Sequence, residues 1–260
     1  MKIISWNVNG IRAVERKKEL QRLIETQAPD ILCLQETKAK PEQLSSFLTE
    51  NENFTQFYNA AEKAGYAGTS IWIRKSLALE NVEFITTMPN DPVANEGRIA
   101  QINFTYENKT YSILGIYFPN GGKSPEAWQQ KLVFYNHFLE HINQLRAEGR
   151  AVIWGGDVNC AHEEIDLARP KENMESIGFL PEERAWVSRC IEQKWVDVWR
   201  QKNPQKTDVY SWWHVITRAR LRNVGWRIDY FFVDEIIFPY VKKIEYLNEQ
   251  MGSDHCPVLL

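Results

Sequence analysis

At 260 residues the chain is long enough for one large domain or two small ones, and an apolar fraction of 43% with 12% aromatics can bury a sizeable core. The net charge of −3 shows none of the basic excess of many DNA-binding domains, but an enzyme that gathers carboxylates can be neutral in total and polarised on its surface, so nucleic acid stays open as a partner. Four cysteines (Cys33, Cys160, Cys190 and Cys256) with no C-x-x-C pair argue against a disulfide framework, and no apolar run approaches the ~20 residues of a membrane span. Buried free thiols in a reducing compartment are therefore expected, and the absence of a basic-plus-apolar leader points to a cytoplasmic protein.

Taken in chain order, short β-rich runs alternate with amphipathic stretches. Residues 2–6 read as a strand, 13–27 as a helix with Leu20, Leu23 and Ile24 on one face, and 31–35 as the next strand. Pro41 suits the first turn of a short helix. Strands are predicted at about 68–74, 82–86, 99–105 and 110–117. Residues 125–146 form the longest helix, with Trp128, Leu132, Leu139, Ile142 and Leu145 on one face and Gly149 as its stop. A strand at 151–156, a helix at 181–193 and strands at 226–234 and 255–260 complete the chain. No linker or low-complexity stretch divides it, so an α/β fold in one domain over 1–260 is expected, its strands carrying helices on their outer faces.

The strands end unusually. SWNVNG places Asn7 and Asn9 after the first, and LQETK places Gln35 and Glu36 after the second. YFPNGG supplies Tyr117 and Asn120, GGDVN supplies Asp157 and Asn159, WRID supplies Asp229, and SDHCP puts Asp254 and His255 before the last strand. Singly, each is ordinary turn or cap chemistry. Six such endings gathered at one rim of a sheet sandwich would be more than that. Oxygen ligands with one or two carboxylates suit Mg²⁺, whereas the nitrogen or thiolate clusters of a zinc site are absent. A carboxylate flanked by amides, as at Asp157, can serve as general base for a water. His255 can hold or deliver a proton near neutral pH, with Asp229 and Asp254 both candidates for its partner.

At these residues the sequence resembles the exonuclease III-type abasic-site endonucleases of the endonuclease/exonuclease/phosphatase superfamily. The blocks SWNVNGIR, LQETK, EGR, YFPNGG, GDVNCAHEEIDL, NVGWRIDYFFVD and GSDHCP occur in the family's order across essentially the whole chain. The resemblance implies a single catalytic domain with a four-layer sandwich, two mixed β-sheets packed face to face with helices outside and the site at one edge. It implies Mg²⁺, with Mn²⁺ able to substitute, held chiefly by Glu36. Asn7 and Asp254 would lie near the ion, and Asp157, Asn159 and His255 would belong to the same metal-binding group. Asp157 would activate the attacking water and Asn159 would position it. His255, paired with Asp229, would hold the scissile phosphate. Tyr117 would hydrogen-bond the phosphate or assist the leaving group. Asn120 would bind substrate phosphate, and Lys38 would support the site from behind.

Substrate class rests on the loops. Residues 210–227 interleave Arg218, Arg220, Arg222 and Arg227 with Trp212, Trp213 and Trp226, which fits cations on phosphates and apolar wedges in a groove. By resemblance Ile216 sits at the wedging position, Trp212 and Trp226 wall a narrow pocket, and Tyr66, Lys123 and Asn173 are further DNA contacts. Lys123 stands where many relatives have Arg, and Arg169 and Ser176 stand where some close relatives have Asn, which bears on the balance of activities. The expected function is repair of duplex DNA, by hydrolysis of the phosphodiester 5′ to an abasic site to leave a 3′-OH, with some processing of blocked 3′ ends, by a monomer that does not bind membranes. The alternative is an enzyme chiefly of 3′-end processing, with weak abasic endonuclease activity.

Overall fold

The computed structural model describes residues 1–260. Successive side chains on a strand face opposite ways, and here that alternation builds the layers. The first strand β1 (Ile3–Asn7) is followed by helices α1 (Ile11–Arg16) and α2 (Glu19–Gln27) and by β2 (Ile31–Gln35). Ile3, Ile31 and Cys33 join one apolar cluster, whereas Ile4, Trp6, Leu32 and Leu34 join another beneath Ile11, Val14, Leu20 and Leu23 of the helices. The chain continues through α3 (Ser46–Thr49), β3 (Phe54–Asn59), β4 (Thr69–Arg74), β5 (Glu80–Ile85), β6 (Ile99–Tyr106) and β7 (Lys109–Tyr117) to the long α4 (Pro125–Ala147) and β8 (Ala151–Asp157). Then come α5 (Pro181–Glu192), β9 (Trp195–Asp197), α6 (Val198–Lys202), β10 (Asp229–Asp234), β11 (Glu245–Tyr246) and β12 (Val258–Leu259).

Two six-stranded sheets result, in the orders β11-β12-β1-β2-β4-β3 and β5-β6-β7-β8-β10-β9. Each is mixed, with one parallel pair: β1 with β2, and β7 with β8. Ile102, Phe104, Ile113, Ile153 and Phe231 of the second sheet close on the first, and its other face packs Leu114, Ile116, Val152 and Trp154 against α4 and α5. The architecture is the expected α/β sandwich of four layers. Gly115 marks the closest approach of the sheets, since a Cβ there would lie 2.7 Å from that of Cys33. All four thiols are free and buried. No helix is long and apolar enough to cross a membrane.

Several boundaries differ from expectation. The helix read at 13–27 is two helices, because Lys18 takes a left-handed conformation (φ 59°) between α1 and α2. No Gly or Pro marks that break, so the periodicity ran across it. Ser124 caps α4 by accepting the Ala127 N–H, as its Pro125 start implies, and Gly149 follows its end with φ 80°. The buried stripe of α4 runs through Phe134, Phe138, Leu139 and Ile142 and includes Lys131, while Trp128 and Leu132 are only half buried. The short elements β3, β9, β11 and α6 carried too little periodicity to be read from sequence. The last strands shrink to Asp229–Asp234 and Val258–Leu259, since Trp226 pairs as an isolated bridge with Leu167 and Trp212.

Arg227 requires a correction. It was grouped with the DNA-facing arginines, but it is fully buried and paired with Asp166 (2.8 Å) and Asp197 (2.7 Å). Arg200 also bonds to Asp166. A buried guanidinium is tolerated because its fork is fully matched by two carboxylates. Burial alone would raise the Asp166 pKa, but Arg227 and Arg200 outweigh it and hold the group at about 2. Against an unfolded value of roughly 3.9, this contributes roughly 2–3 kcal/mol that is complete above pH ~4 and lost as pH falls through ~2. Urea denaturation of wild type and Asp166→Asn over this range should show the stability gap between them narrowing by about that amount. A constant gap would contradict the assignment.

Candidate active site

Strand register assembles the site. Asn7 lies beside Gln35 at the ends of β1 and β2, and Tyr117 lies beside Asp157 at the ends of β7 and β8. The antiparallel β10 brings Asp229 opposite Asp157. A Cβ at Gly156 would lie 1.9 Å from the Ile116 carbonyl, so only glycine lets β8 deliver Asp157 here. The connecting residues turn sharply: Asn9, Glu36, Lys38 and Asn159 all adopt left-handed backbone, with φ between 44° and 54°. Such conformations cost about 1 kcal/mol or more each and are held by surrounding structure.

Asn7 bridges the sheets. Its Nδ2 donates at 2.9 Å to Glu36 Oε1 and at 2.9 Å to Asp157 Oδ2, while its Oδ1 accepts the Asn9 N–H (3.0 Å). Asp157 Oδ1 accepts the Asn159 N–H at 2.8 Å. His255 Nδ1 lies 2.8 Å from Asp229 Oδ2, and its Nε2 lies 3.8 Å from Asp157 Oδ2. Of the two candidate partners of His255, geometry thus selects Asp229. Asp254 instead accepts from Asn9 Nδ2 (2.9 Å) and Trp212 Nε1 (3.2 Å). Lys38 sits 2.7 Å from Glu36 Oε2 and also donates to Asn9.

The electrostatics separate the roles. Burial pushes Asp157 up to about 7, with the charges of Asp229 and Glu36 adding and His255 opposing. Glu36 falls below the usual carboxylate range, because hydrogen bonds from Asn7 and Lys38 outweigh its burial. Burial would lower His255, but the Asp229 and Asp157 carboxylates raise it to about 10. A protonated imidazole offers two donors and no lone pair, which suits an anionic oxygen better than a metal. Burial, and then the Glu36 charge, push Tyr117 well above the ordinary phenol value, leaving a neutral O–H donor.

These groups open into a cavity of about 320 Å³, lined by Glu36, Tyr117, Asn120, Asp157, Asn159, Asp254 and His255. Trp212 and Trp226 also line it, their rings 6.4 Å apart and nearly perpendicular, together with Ile177, Gly178 and Ile228. Asn7 and Asp229 stand behind this lining. Tyr66 joins through Arg98, a buried residue whose guanidinium lies 4.7 Å over the Tyr117 ring and donates to Tyr66 Oη (3.0 Å) and Glu96 (2.6 Å). In the sequence, the only sign of a role for Arg98 is a charged residue directly before the apolar strand β6. Asn9 links Lys38 to Asp254.

The remaining predicted residues lie outside the cavity. Lys123 is exposed between β7 and α4, and Asn173 bonds to the Arg169 carbonyl and Ser176 hydroxyl. Ile216 is 87% exposed and Arg218 is fully on the surface beside it. Arg220 is different: it donates to the carbonyls of Asn248, Gln250 and Ser253 and stacks 4.6 Å over Trp213. It ties down the segment that carries Asp254.

Residues 4–255 match the family described as Endonuclease/Exonuclease/phosphatase. The chain belongs to this family. It is 36% identical over 260 residues to the exodeoxyribonuclease of Bacillus subtilis, spanning 100% of this chain and 98% of that protein. It is 35% identical over 268 residues to the DNA-(apurinic or apyrimidinic site) endonuclease of Dictyostelium discoideum, spanning 99% and 69%. The crystal structure of an AP endonuclease from Leishmania major superposes with a TM-score of 0.88 at 30% identity, covering 99% of this chain and 86% of that one.

Members of this endonuclease/exonuclease/phosphatase family depend on metal, and the donor set here fits a cation. Ligand atoms of Glu36 and Asp157 lie within 4.8 Å of each other, with His255, protonated and so not itself a ligand, completing the cluster. The cavity lining carries three carboxylates, Glu36, Asp157 and Asp254, against one cationic group, His255, so it is short of positive charge. Glu36, partly exposed at the cavity edge, is the best placed to bind a hard ion, whereas Asn7 presents its NH₂ to the carboxylates and its oxygen to a backbone N–H. Replacing Glu36 by Gln should lower divalent-metal affinity by at least about tenfold in calorimetry, ~1.4 kcal/mol, with the melting temperature little changed. Unaltered affinity would remove Glu36 as a ligand.

Proposed function

We propose that residues 1–260 form a single catalytic domain that hydrolyses the phosphodiester 5′ to an abasic site in duplex DNA, leaving a 3′-OH, with Mg²⁺ as the preferred ion and Mn²⁺ a substitute. The observation that carries this reading is the cavity itself, in which a base, a cationic hydrogen-bond donor and a neutral acid face one small volume walled by two indoles. A sugar lacking its base suits such a space, with the two indoles offering it an apolar wall. Asp157, raised to about 7, is matched to taking a proton from water near neutral pH, and the Asn159 backbone N–H fixes its second oxygen. Asn159 itself, tied to Asn120 and the Phe118 carbonyl, orients the water. His255, kept cationic by Asp229, holds a non-bridging phosphate oxygen as charge grows there. Tyr117 offers its proton to the phosphate or to the departing 3′ oxygen. The ion, when bound at Glu36, supplies charge neutralisation at the phosphate.

A second reading, mainly 3′-end processing, draws on the match to the exodeoxyribonuclease of B. subtilis over nearly all of its length. The same cavity would then take a blocked 3′ end. Incision of a duplex with one internal abasic site, compared with release of phosphate from a 3′-phosphate duplex, separates the two. The proposed function requires rapid abasic incision with Mg²⁺ and none in EDTA. Faster 3′ release, with the internal site left nearly intact, would favour the second reading. The cytoplasmic location and monomeric state expected from the sequence belong to this proposal.

The surface loop generates a separate prediction. Ile216 (87% exposed) and Leu221 (84% exposed) project beside Arg218, an arrangement suited to wedging a groove while neutralising a phosphate. Arg218→Ala should reduce the slope of log affinity against log salt by about 0.9, one phosphate contact. Ile216→Ala should weaken binding with the slope unchanged. Arg220→Ala should also slow hydrolysis of a small phosphodiester, because it frees the segment before Asp254. Anisotropy over a salt series reads the first two, and equal slopes and affinities would make the loop a solvated surface.

A further inference from the structure

Two fully buried charges lie beneath the cavity without entering it: Lys131 on α4 and Glu183 in the first turn of α5. Lys131 Nζ has three protons and spends them on the Asn120 carbonyl (3.1 Å), the Asn159 carbonyl (2.8 Å) and Glu183 Oε1. Glu183 Oε2 accepts the backbone N–H groups of Gly178 (2.7 Å) and Leu180 (3.0 Å). Every proton and both oxygens therefore go to each other or to loop backbone. The three loops so joined all line the cavity, through Asn120, Asn159 and Gly178.

The contacts continue into the chemistry. Asn120 Nδ2 donates to Asn159 Oδ1 (3.1 Å), and the Asn159 N–H donates to Asp157 (2.8 Å). Gly178 packs so closely that a Cβ on it would lie 3.2 Å from the Trp226 ring and 3.3 Å from the Asn159 carbonyl. One side of the pair thus sets the water-orienting loop, and the other sets the floor under the indole wall.

We propose that Lys131 and Glu183 are positioning residues, a buried clamp that fixes the two asparagine loops and the Gly178 turn relative to Asp157 and Trp226. The inference rests on the abasic-site reading for its substrate. Burying an ion pair is expensive in desolvation, and apolar residues of similar volume often hold a fold as well or better. An apolar pair cannot hold two carbonyls and two N–H groups at set positions. The benefit of the charges is geometry, and a misplacement of about 1 Å in an active site can cost about 10²-fold in rate.

The test is the double variant Lys131→Met/Glu183→Leu in the full chain with Mg²⁺. The melting temperature should fall, because the Asn120 and Asn159 carbonyls and the Gly178 and Leu180 amides lose their buried partners; well below that temperature kcat on abasic duplex should fall by about 10²-fold while KM changes by less than about threefold. Hydrogen exchange at the Gly178 and Leu180 amides should accelerate. Lys131→Met alone should melt below the double variant, because it leaves the Glu183 charge buried and unpaired. Wild-type kcat in the double variant overturns the inference. So does a kcat loss that matches the fraction of unfolded protein at the assay temperature, since the pair would then serve stability alone; should the double variant not fold, Lys131→Gln, which keeps a donor for one carbonyl, is read in the same way. If wild type itself leaves abasic duplex intact, the functional reading fails and the clamp is judged on exchange: acceleration confined to the Gly178 and Leu180 amides supports it, and unchanged or uniformly faster exchange overturns it.

Discussion

Glu36 comes from one sheet and Asp157 from the other, and one amide group, the NH₂ of Asn7, lies between their carboxylates at 2.9 Å from each. Like charges this close repel, so the arrangement persists only where a donor and a rigid frame hold it. The rest of the site follows from that constraint. Asp157, buried among other acids, is driven up to about 7, where it can act as a base without being permanently ionised. The same negative field keeps His255 protonated and leaves room for an additional cation beside Glu36. A family of phosphodiesterases needs these features together, and one amide at the seam of two sheets makes them compatible.

The frame is supplied by packing. Three apolar layers, two beneath helices and one between the sheets, hold the strand ends in register. They over-determine the left-handed turns at Glu36, Lys38 and Asn159, which no isolated peptide would favour. Gly115 and Gly156 matter for the same reason, because both mark places where another backbone or sheet comes too near for a side chain. Four of the sixteen left-handed non-glycine residues, Asn9, Glu36, Lys38 and Asn159, belong to the site, where the apolar burial around it offsets their strain.

The segment 210–227 shows how one stretch of sequence divides into separate tasks. Trp212 and Trp226 wall the cavity, and Trp213 sinks into the inter-sheet core beneath Arg220. Arg227 is locked between Asp166 and Asp197, and Arg220 secures the carbonyls before Asp254. The surface of this segment is left to His214–Arg218 and Leu221–Asn223, among them Ile216, Arg218, Leu221 and Arg222. A basic, aromatic composition fits all these fates equally, so composition cannot apportion them.

What was legible in the chain before folding was local: strand alternation, the capped helix at Pro125, and the polar residue at each strand end. The fold class and the chemical character of the site follow from these, because periodicity and residue type are properties of short stretches. The break at Lys18 was not legible, since its left-handed turn has no glycine or proline to mark it. Pairing was not legible either. His255 precedes the last strand with Asp254 and Asp229 both available, and only the register of β10 against β8 puts Asp229 within 2.8 Å of its ring. Nothing near Lys131 in sequence suggests that it lies under Asn159 and faces Glu183. These contacts join residues 26 to 52 positions apart, and their distances are set by how sheets and helices pack, which no local pattern encodes.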